Sequence, residues 1–154
     1  MPLTFHGLPS AQVNAIRTSG QDAYGNPIEH HISDGSAFLC RHCLGRIAKG
    51  EPYLALAYRP FETQNPYAET GPLFLCADCQ GAAPTDHPPA VLDSESYLIK
   101  GYTADERILY GTGKTVPNAE ISSHIEQMFE NPAVAFADIR SSMNNCYQCR
   151  VTRG

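Results

Sequence analysis

The chain has 154 residues with 12 glycines, 12 prolines and six cysteines, and its 16 acidic against 11 basic side chains give a formal net charge of −5. That length suits a single domain over 1–154, and the glycine and proline content predicts many turns. An acidic balance does not attract phosphate backbones or anionic lipid, and no apolar run approaches the roughly 18 residues of a membrane span, which disfavours nucleic-acid and membrane partners.

The start, Met1 to Gly7, has neither a basic nor an apolar leader-like region, so a soluble, cytoplasmic protein is expected. Leu3 to Leu8 predicts a short strand. Ser10 then stands as an N-cap before a helix over Ala11 to Thr18 that Gly20 closes, with Val13 and Ile16 spaced for one buried face. Residues 21–36 are polar and turn-rich, with Ile28 to Ile32 as a strand that places His30 and His31 on opposite sides.

Phe38-Leu39-Cys40-Arg41-His42-Cys43-Leu44-Gly45 is followed by an apolar run, Tyr53 to Tyr58, that reads as a central strand ended by Pro60. The loop Arg59 to Pro72 carries Tyr67 and Glu69 into a strand at Leu73 to Leu75. There the cysteine pattern recurs as Phe74-Leu75-Cys76-Ala77-Asp78-Cys79-Gln80-Gly81. Residues 81–89 predict an exposed connection holding His87. Tyr97 to Tyr102 and Arg107 to Tyr110 predict an antiparallel hairpin. Asn118 caps a helix from Ala119 to about Glu130, with Ile121, Ile125, Met128 and Phe129 on one stripe. Val134 to Arg140 predicts a last strand before the turn into Cys146-Tyr147-Gln148-Cys149. Strands outnumber helices without strict alternation, so the expected class is α+β: a largely antiparallel sheet with two helices and a pair of CxxC metal knuckles.

All six cysteines fall in C-x-x-C pairs. Small disulfide scaffolds usually scatter their cysteines, whereas pairs in a chain without a leader favour metal. The first two pairs share a plan: apolar entry, C-x-x-C, and a glycine two places later that can supply the positive φ ending the turn. One knuckle offers two ligands and tetrahedral zinc takes four, so Cys40, Cys43, Cys76 and Cys79 form the expected zinc site. Iron would accept the same thiolates. A closed four-thiolate site has no open position for water, which points to a structural ion. Cys146 and Cys149 lack the trailing glycine. They are an alternative partner for Cys40 and Cys43, half of a second site with His30, His31 or His87, or inert thiols. Redox catalysis is disfavoured because no helix can follow them before Gly154. His42 is expected to point out of its turn, as an exposed or supporting residue rather than a ligand. Gly111-Thr112-Gly113-Lys114-Thr115 lacks the earlier glycine of a phosphate loop, Ile108 standing there, and reads as a tight turn.

Cys40-Arg41-His42-Cys43-Leu44, Tyr58-Arg59-Pro60-Phe61 with Pro66 to Phe74, and Asn144-Asn145-Cys146-Tyr147-Gln148-Cys149-Arg150-Val151 resemble the bacterial domain-of-unknown-function family 1203 over essentially the whole chain. The resemblance implies a single domain of about this length and weight on Cys40, Arg41 and Cys146, with the partner cysteines less uniform among members. It carries no activity with it.

Around the cysteines, the loop residues Arg41, Tyr58, Tyr67, Glu69, Arg140, Asn144 and Asn145 could line a pocket for a small anionic ligand. The plainer reading has Arg41 and Arg140 pairing with Glu69 or capping loop carbonyls. Three functions follow: a zinc-stabilised module that binds a protein or small molecule, favoured over the others because no catalytic signature is present; an enzyme using the Arg/Tyr/Glu/Asn pocket; and a nucleic-acid-binding zinc ribbon, which the charge disfavours.

Overall fold

Apolar and polar residues alternate along the strands, and this sorts them into two antiparallel sheets. The structure, a computed structural model, describes residues 2–36 and 39–154; Phe38, the apolar entry to the first knuckle, lies outside the described residues. β1 (Leu3–His6), β5 (Ser96–Tyr102), β6 (Lys114–Pro117), β7 (Phe136–Ser141) and β8 (Tyr147–Arg153) form a five-stranded sheet in the order β1-β8-β7-β5-β6. β2 (Glu29–Ile32), β3 (Pro52–Tyr58) and β4 (Gly71–Cys76) form a three-stranded sheet with β3 central. Two α-helices accompany them among the described residues, α1 (Ser10–Ser19) and α2 (Ile121–Phe129). Neither is long and apolar enough to cross a membrane.

Each sheet has its own core. Ile121, Ile125, Met128 and Phe129 of α2 are all buried, in one cluster with Ile99, Val116, Ile139 and Val151 of the larger sheet. Val13 of α1 joins Leu54, Leu56, Leu73 and Leu75 of the smaller sheet. Both helices begin otherwise than their sequences suggest. Ser10 is the first helical residue after an N-cap at Pro9, and its hydroxyl goes elsewhere, whereas Gly20 ends the helix in the left-handed region (φ 67°) as expected. α2 follows a 3-10 turn at Asn118–Glu120, and the Asn118 amide donates to the carbonyls of Leu92 and Ser94 instead of capping.

Two other expectations are corrected. Arg107 to Tyr110 is not a strand: only an isolated bridge joins Ile108 to Tyr102, and β6 is the hairpin partner of β5. The Thr112 side chain, bonded to Gly101 N and Leu109 O, folds residues 103–113 into a loop, and the expected tight turn supplies Gly111 at φ 95° before Lys114 and Thr115 enter β6. The chain end, in which no strand was expected, forms β8 with Tyr147, Cys149 and Val151 buried at alternate positions.

A buried charge layer covers the other face of the larger sheet. The Asp138 carboxylate is fully buried and receives Arg150 through Nε (2.8 Å) and Nη2 (3.0 Å). Nη2 also donates to the carbonyl of Pro60 (2.7 Å), in the loop after β3, and the guanidinium lies 4.0 Å from the Phe136 ring centroid. Burial alone would lower the Arg150 pKa, but the carboxylate outweighs it and the net shift is upward. This pair links the two sheets. Asp138→Asn leaves a largely buried cation without its counter-charge and is expected to destabilise the protein by about 3 kcal/mol in urea unfolding. A loss below about 0.5 kcal/mol would contradict a role for the pair in holding the sheets together.

Candidate metal centre

Strand β4 brings the two knuckles together. Its last residue is Cys76, from which the chain turns to Cys79, and the first knuckle docks on its edge through a parallel bridge between Cys40 and Phe74 with Arg41 N donating to Phe74 O (3.1 Å). Inside that knuckle, Cys40 N donates to Gly45 O and Leu44 N to Cys40 O. The trailing glycines differ. Gly81 takes the expected positive φ (83°), but in the first knuckle Leu44 takes it (56°) and Gly45 does not.

The four Sγ atoms of Cys40, Cys43, Cys76 and Cys79 lie within 4.8 Å of one another, and all are free thiols. The Cys40–Cys79 and Cys43–Cys76 separations are both 3.9 Å. A tetrahedron with metal–sulfur bonds of about 2.3 Å has edges of about 3.8 Å. Two of the six separations therefore match the edge of a tetrahedral thiolate site, and all six lie within 4.8 Å.

Without a cation, these sulfurs compete for charge. Cys40 is the favoured thiolate, held down at about 4 by the Cys43 thiol and by the backbone N–H groups of Cys43 and Cys76 at 3.5 and 3.2 Å. Its charge helps push Cys43 and Cys76 up. Cys43 is raised chiefly through its bond to Cys40, and Cys76 is raised to about 12 by burial and then by Cys40. Only a bound cation would let all four ionise together.

Cationic side chains surround the sulfurs. Arg17 of α1 donates from Nη2 to Cys76 O (2.9 Å) and approaches Cys79 Sγ (3.5 Å). Arg41 is buried, with Nε on Tyr147 O (2.8 Å) and Nη1 on Leu39 O (2.6 Å). Burial lowers its pKa to about 10, so it remains a cation at neutral pH. His42, expected to be exposed or supporting, is buried and supporting. Its Nδ1 is 3.2 Å from Cys79 Sγ, and its Nε2 bonds the Ser10 hydroxyl at 2.9 Å. Burial, and after it Arg17, lowers the His42 pKa, which favours the neutral ring. The sequence did not mark Arg17 or Ser10 as neighbours of the sulfurs; the one signal for Arg17 is that it follows Val13 by one helical turn.

Cys146 and Cys149 stand apart from the cluster. Cys149 lies in the core beneath α2, its thiol pushed up to about 12 by burial, and Cys146 is half-buried near Asn144 O. His30 and His31 lie on the exposed strand β2, and exposed His87 pairs with Asp86. Of the seven residues expected to line a pocket, Tyr58, Glu69, Arg140, Asn144 and Asn145 share one cavity of about 200 Å³, together with Cys146. Arg41 and Tyr67 do not line it; Tyr67 receives the Tyr110 hydroxyl at 3.2 Å. The plainer reading of the arginines is also met: Arg140 pairs with Glu69 (3.0 Å) and donates to Asn145 O (3.0 Å), and Arg41 caps carbonyls.

A family model described as Protein of unknown function (DUF1203) matches residues 37–153. No curated protein and no solved structure matches the chain.

The His42 ring rests on Gly81, where a Cβ would come within 2.5 Å of Nε2 and the backbone is already left-handed. Gly81→Ala is expected to displace the ring from Cys79 and to cost on the order of 1–3 kcal/mol of stability. A melt matching that of the parent protein would contradict the close packing of His42 on the second knuckle.

Proposed function

The chain belongs to the DUF1203 family, and we propose that its four clustered thiols close around one zinc ion, making it a metal-stapled module that binds a protein or small molecule in the cytoplasm. The observation that carries this reading is the pair of 3.9 Å sulfur separations, the edge length of a tetrahedral thiolate site. Charge supports it. A divalent ion with four thiolates leaves two negative charges, and Arg17 and Arg41 supply two positive ones.

Zinc, with no geometric preference of its own, adopts the tetrahedral set that these turns offer, and iron would fit the same sulfurs. Once all four positions are protein sulfur, none is left to activate water. The ion's work is then to fasten the knuckles to the edge of β4. The acidic charge of the chain lends no support to a nucleic-acid-binding ribbon.

Protein purified without a histidine tag is expected to hold about one equivalent of zinc. Cys76→Ser should release it and lower the melting temperature by several degrees or more, at about 2–4 °C per kcal/mol for a chain of this size. Cys146→Ser should change neither. Unfolding on metal loss is expected to be partial, because the core under α2 does not include the four cysteines. Complete metal loss with an unaltered melt would overturn the structural role, and full zinc retention by Cys76→Ser would overturn the ligand set.

Acid should also release the ion. Zinc must displace the proton that Cys76 otherwise keeps up to about 12, so apparent affinity rises with pH and falls as the thiols reprotonate. Chelator competition at two pH values measures this, and equal affinities would contradict thiolate ligation.

A further inference from the structure

A cleft of about 850 Å³ opens between α1 and the end of β3 on one side and β1 and β8 on the other. That volume lies in the range of small-molecule sites, about 300–1,000 Å³. Leu8, Ile16, Leu56 and Phe61 give it an apolar lining, and Ala15 and Ala57 put no bulk into its space.

Two hydrogen-bond donors on its walls are unengaged. Arg150 uses Nε and Nη2 on Asp138 and on the carbonyl of Pro60, which leaves Nη1. The side chain is 24% exposed, and among the described residues the buried polar atoms without a partner do not include Nη1, so this donor is open to solvent. Gln12, exposed on α1, supplies the second. The Tyr58 hydroxyl stays protonated because burial raises its pKa, and it donates to Gln12 Oε1, which fixes the amide with Nε2 as its free end.

Charge decides the class of ligand. Arg59 and Arg150 line the cleft together with Asp22, Glu62 and Glu106, so no positive excess is present to hold an anion. The carboxylates offer little to a cation. Asp22 accepts the N–H groups of Tyr24, Asn26 and Ala57, and Glu106 accepts those of Glu62 and Thr63, which leaves Glu62 at the exposed rim. His6 is held neutral, since burial and after it Arg150 lower its pKa. These walls suit a molecule that accepts hydrogen bonds without carrying charge and covers apolar surface with the rest of its body.

We propose that the cleft binds a neutral small molecule with carbonyl-type acceptors, of the amide or lactam class, on an apolar or aromatic body, its acceptors meeting Gln12 Nε2 and Arg150 Nη1. This rests on the small-molecule side of the module reading and gives it a ligand class. It does not rest on the ion, because none of the four clustered cysteines lines the cleft.

Three probes of similar size separate the charges: benzamide, benzoate and protonated benzylamine. Each is titrated at neutral pH into the full-length, metal-loaded protein, and the backbone amide resonances are followed by NMR. Benzamide is expected to give saturable shifts at Ala57, Tyr58 and Arg59 with a Kd of about 1 mM, ordinary for so small a ligand. Benzoate and benzylamine should bind about fivefold more weakly or worse, because each gives up the hydration of its charge without a free counter-charge. Gln12→Glu keeps the acceptor for Tyr58 and removes the donor, so benzamide affinity should fall about fivefold, the scale of one net hydrogen bond, while benzylamine affinity rises. Zinc is measured in the same samples, so that loss of metal, which counts against the stapled module, is told apart from loss of binding. Benzoate or benzylamine binding more tightly than benzamide to the parent protein, no saturable shift at the cleft, or an unchanged benzamide affinity in Gln12→Glu would each overturn the proposal.

Discussion

Four sulfur atoms within 4.8 Å of one another form an arrangement that cannot be fully ionised by itself. Cys40 takes the first negative charge because the Cys43 thiol and then backbone N–H groups from both knuckles point at it, and that charge helps raise Cys43 and Cys76. The geometry is thus pre-formed and the electrostatics are incomplete, a combination that a divalent cation resolves. The surrounding features serve the same centre: β4 positions Cys76, its edge receives Cys40, and Gly81 admits the His42 ring against Cys79.

The centre is also where the two sheets communicate. Arg41 lies between two of the cysteines, yet its guanidinium bonds the carbonyl of Tyr147 at the start of β8, in the larger sheet. Tyr147 belongs to the core of the smaller sheet. Arg150, three residues later, reaches back to Pro60. Two guanidiniums, the buried Arg41 and the half-buried Arg150, thus cross between the sheets, each reaching a carbonyl of the opposite side. Arg140, the third of this group, has fewer partners than donors.

The sequence revealed what local spacing determines. The first two C-x-x-C pairs, the stripe Ile121-Ile125-Met128-Phe129 and the apolar run Tyr53 to Tyr58 are local patterns, and they form the cysteine cluster, the helix α2 and the central strand β3. Reading failed where a side chain has a distant partner. Ser10 looked like a cap, yet its hydroxyl is held by His42, and Asn118 looked like a cap, yet its amide is held by carbonyls at 92 and 94. Arg107 to Tyr110 has strand-like residues, but Thr112 ties that segment into a loop. β8 differs for another reason: its C-x-x-C has the spacing of a metal turn, whereas the alternation Tyr147, Cys149, Val151 is that of a strand with one buried face. The convergence of Tyr58, Glu69, Arg140, Asn144 and Asn145 on one cavity came through family-like stretches, whereas Lys100, which shares Glu69, carried no such mark.

X-ray absorption at the metal edge probes the central claim most directly, because it counts and identifies the atoms bound to the ion. The account predicts four sulfur scatterers at about 2.3 Å and no light-atom ligand. His42 Nδ1, only 3.2 Å from Cys79 Sγ, is the nearest competitor identified in the structure. Three sulfurs with one nitrogen at about 2.0 Å would mean that His42 replaces a cysteine, and a first shell dominated by nitrogen or oxygen would contradict the tetrathiolate centre altogether.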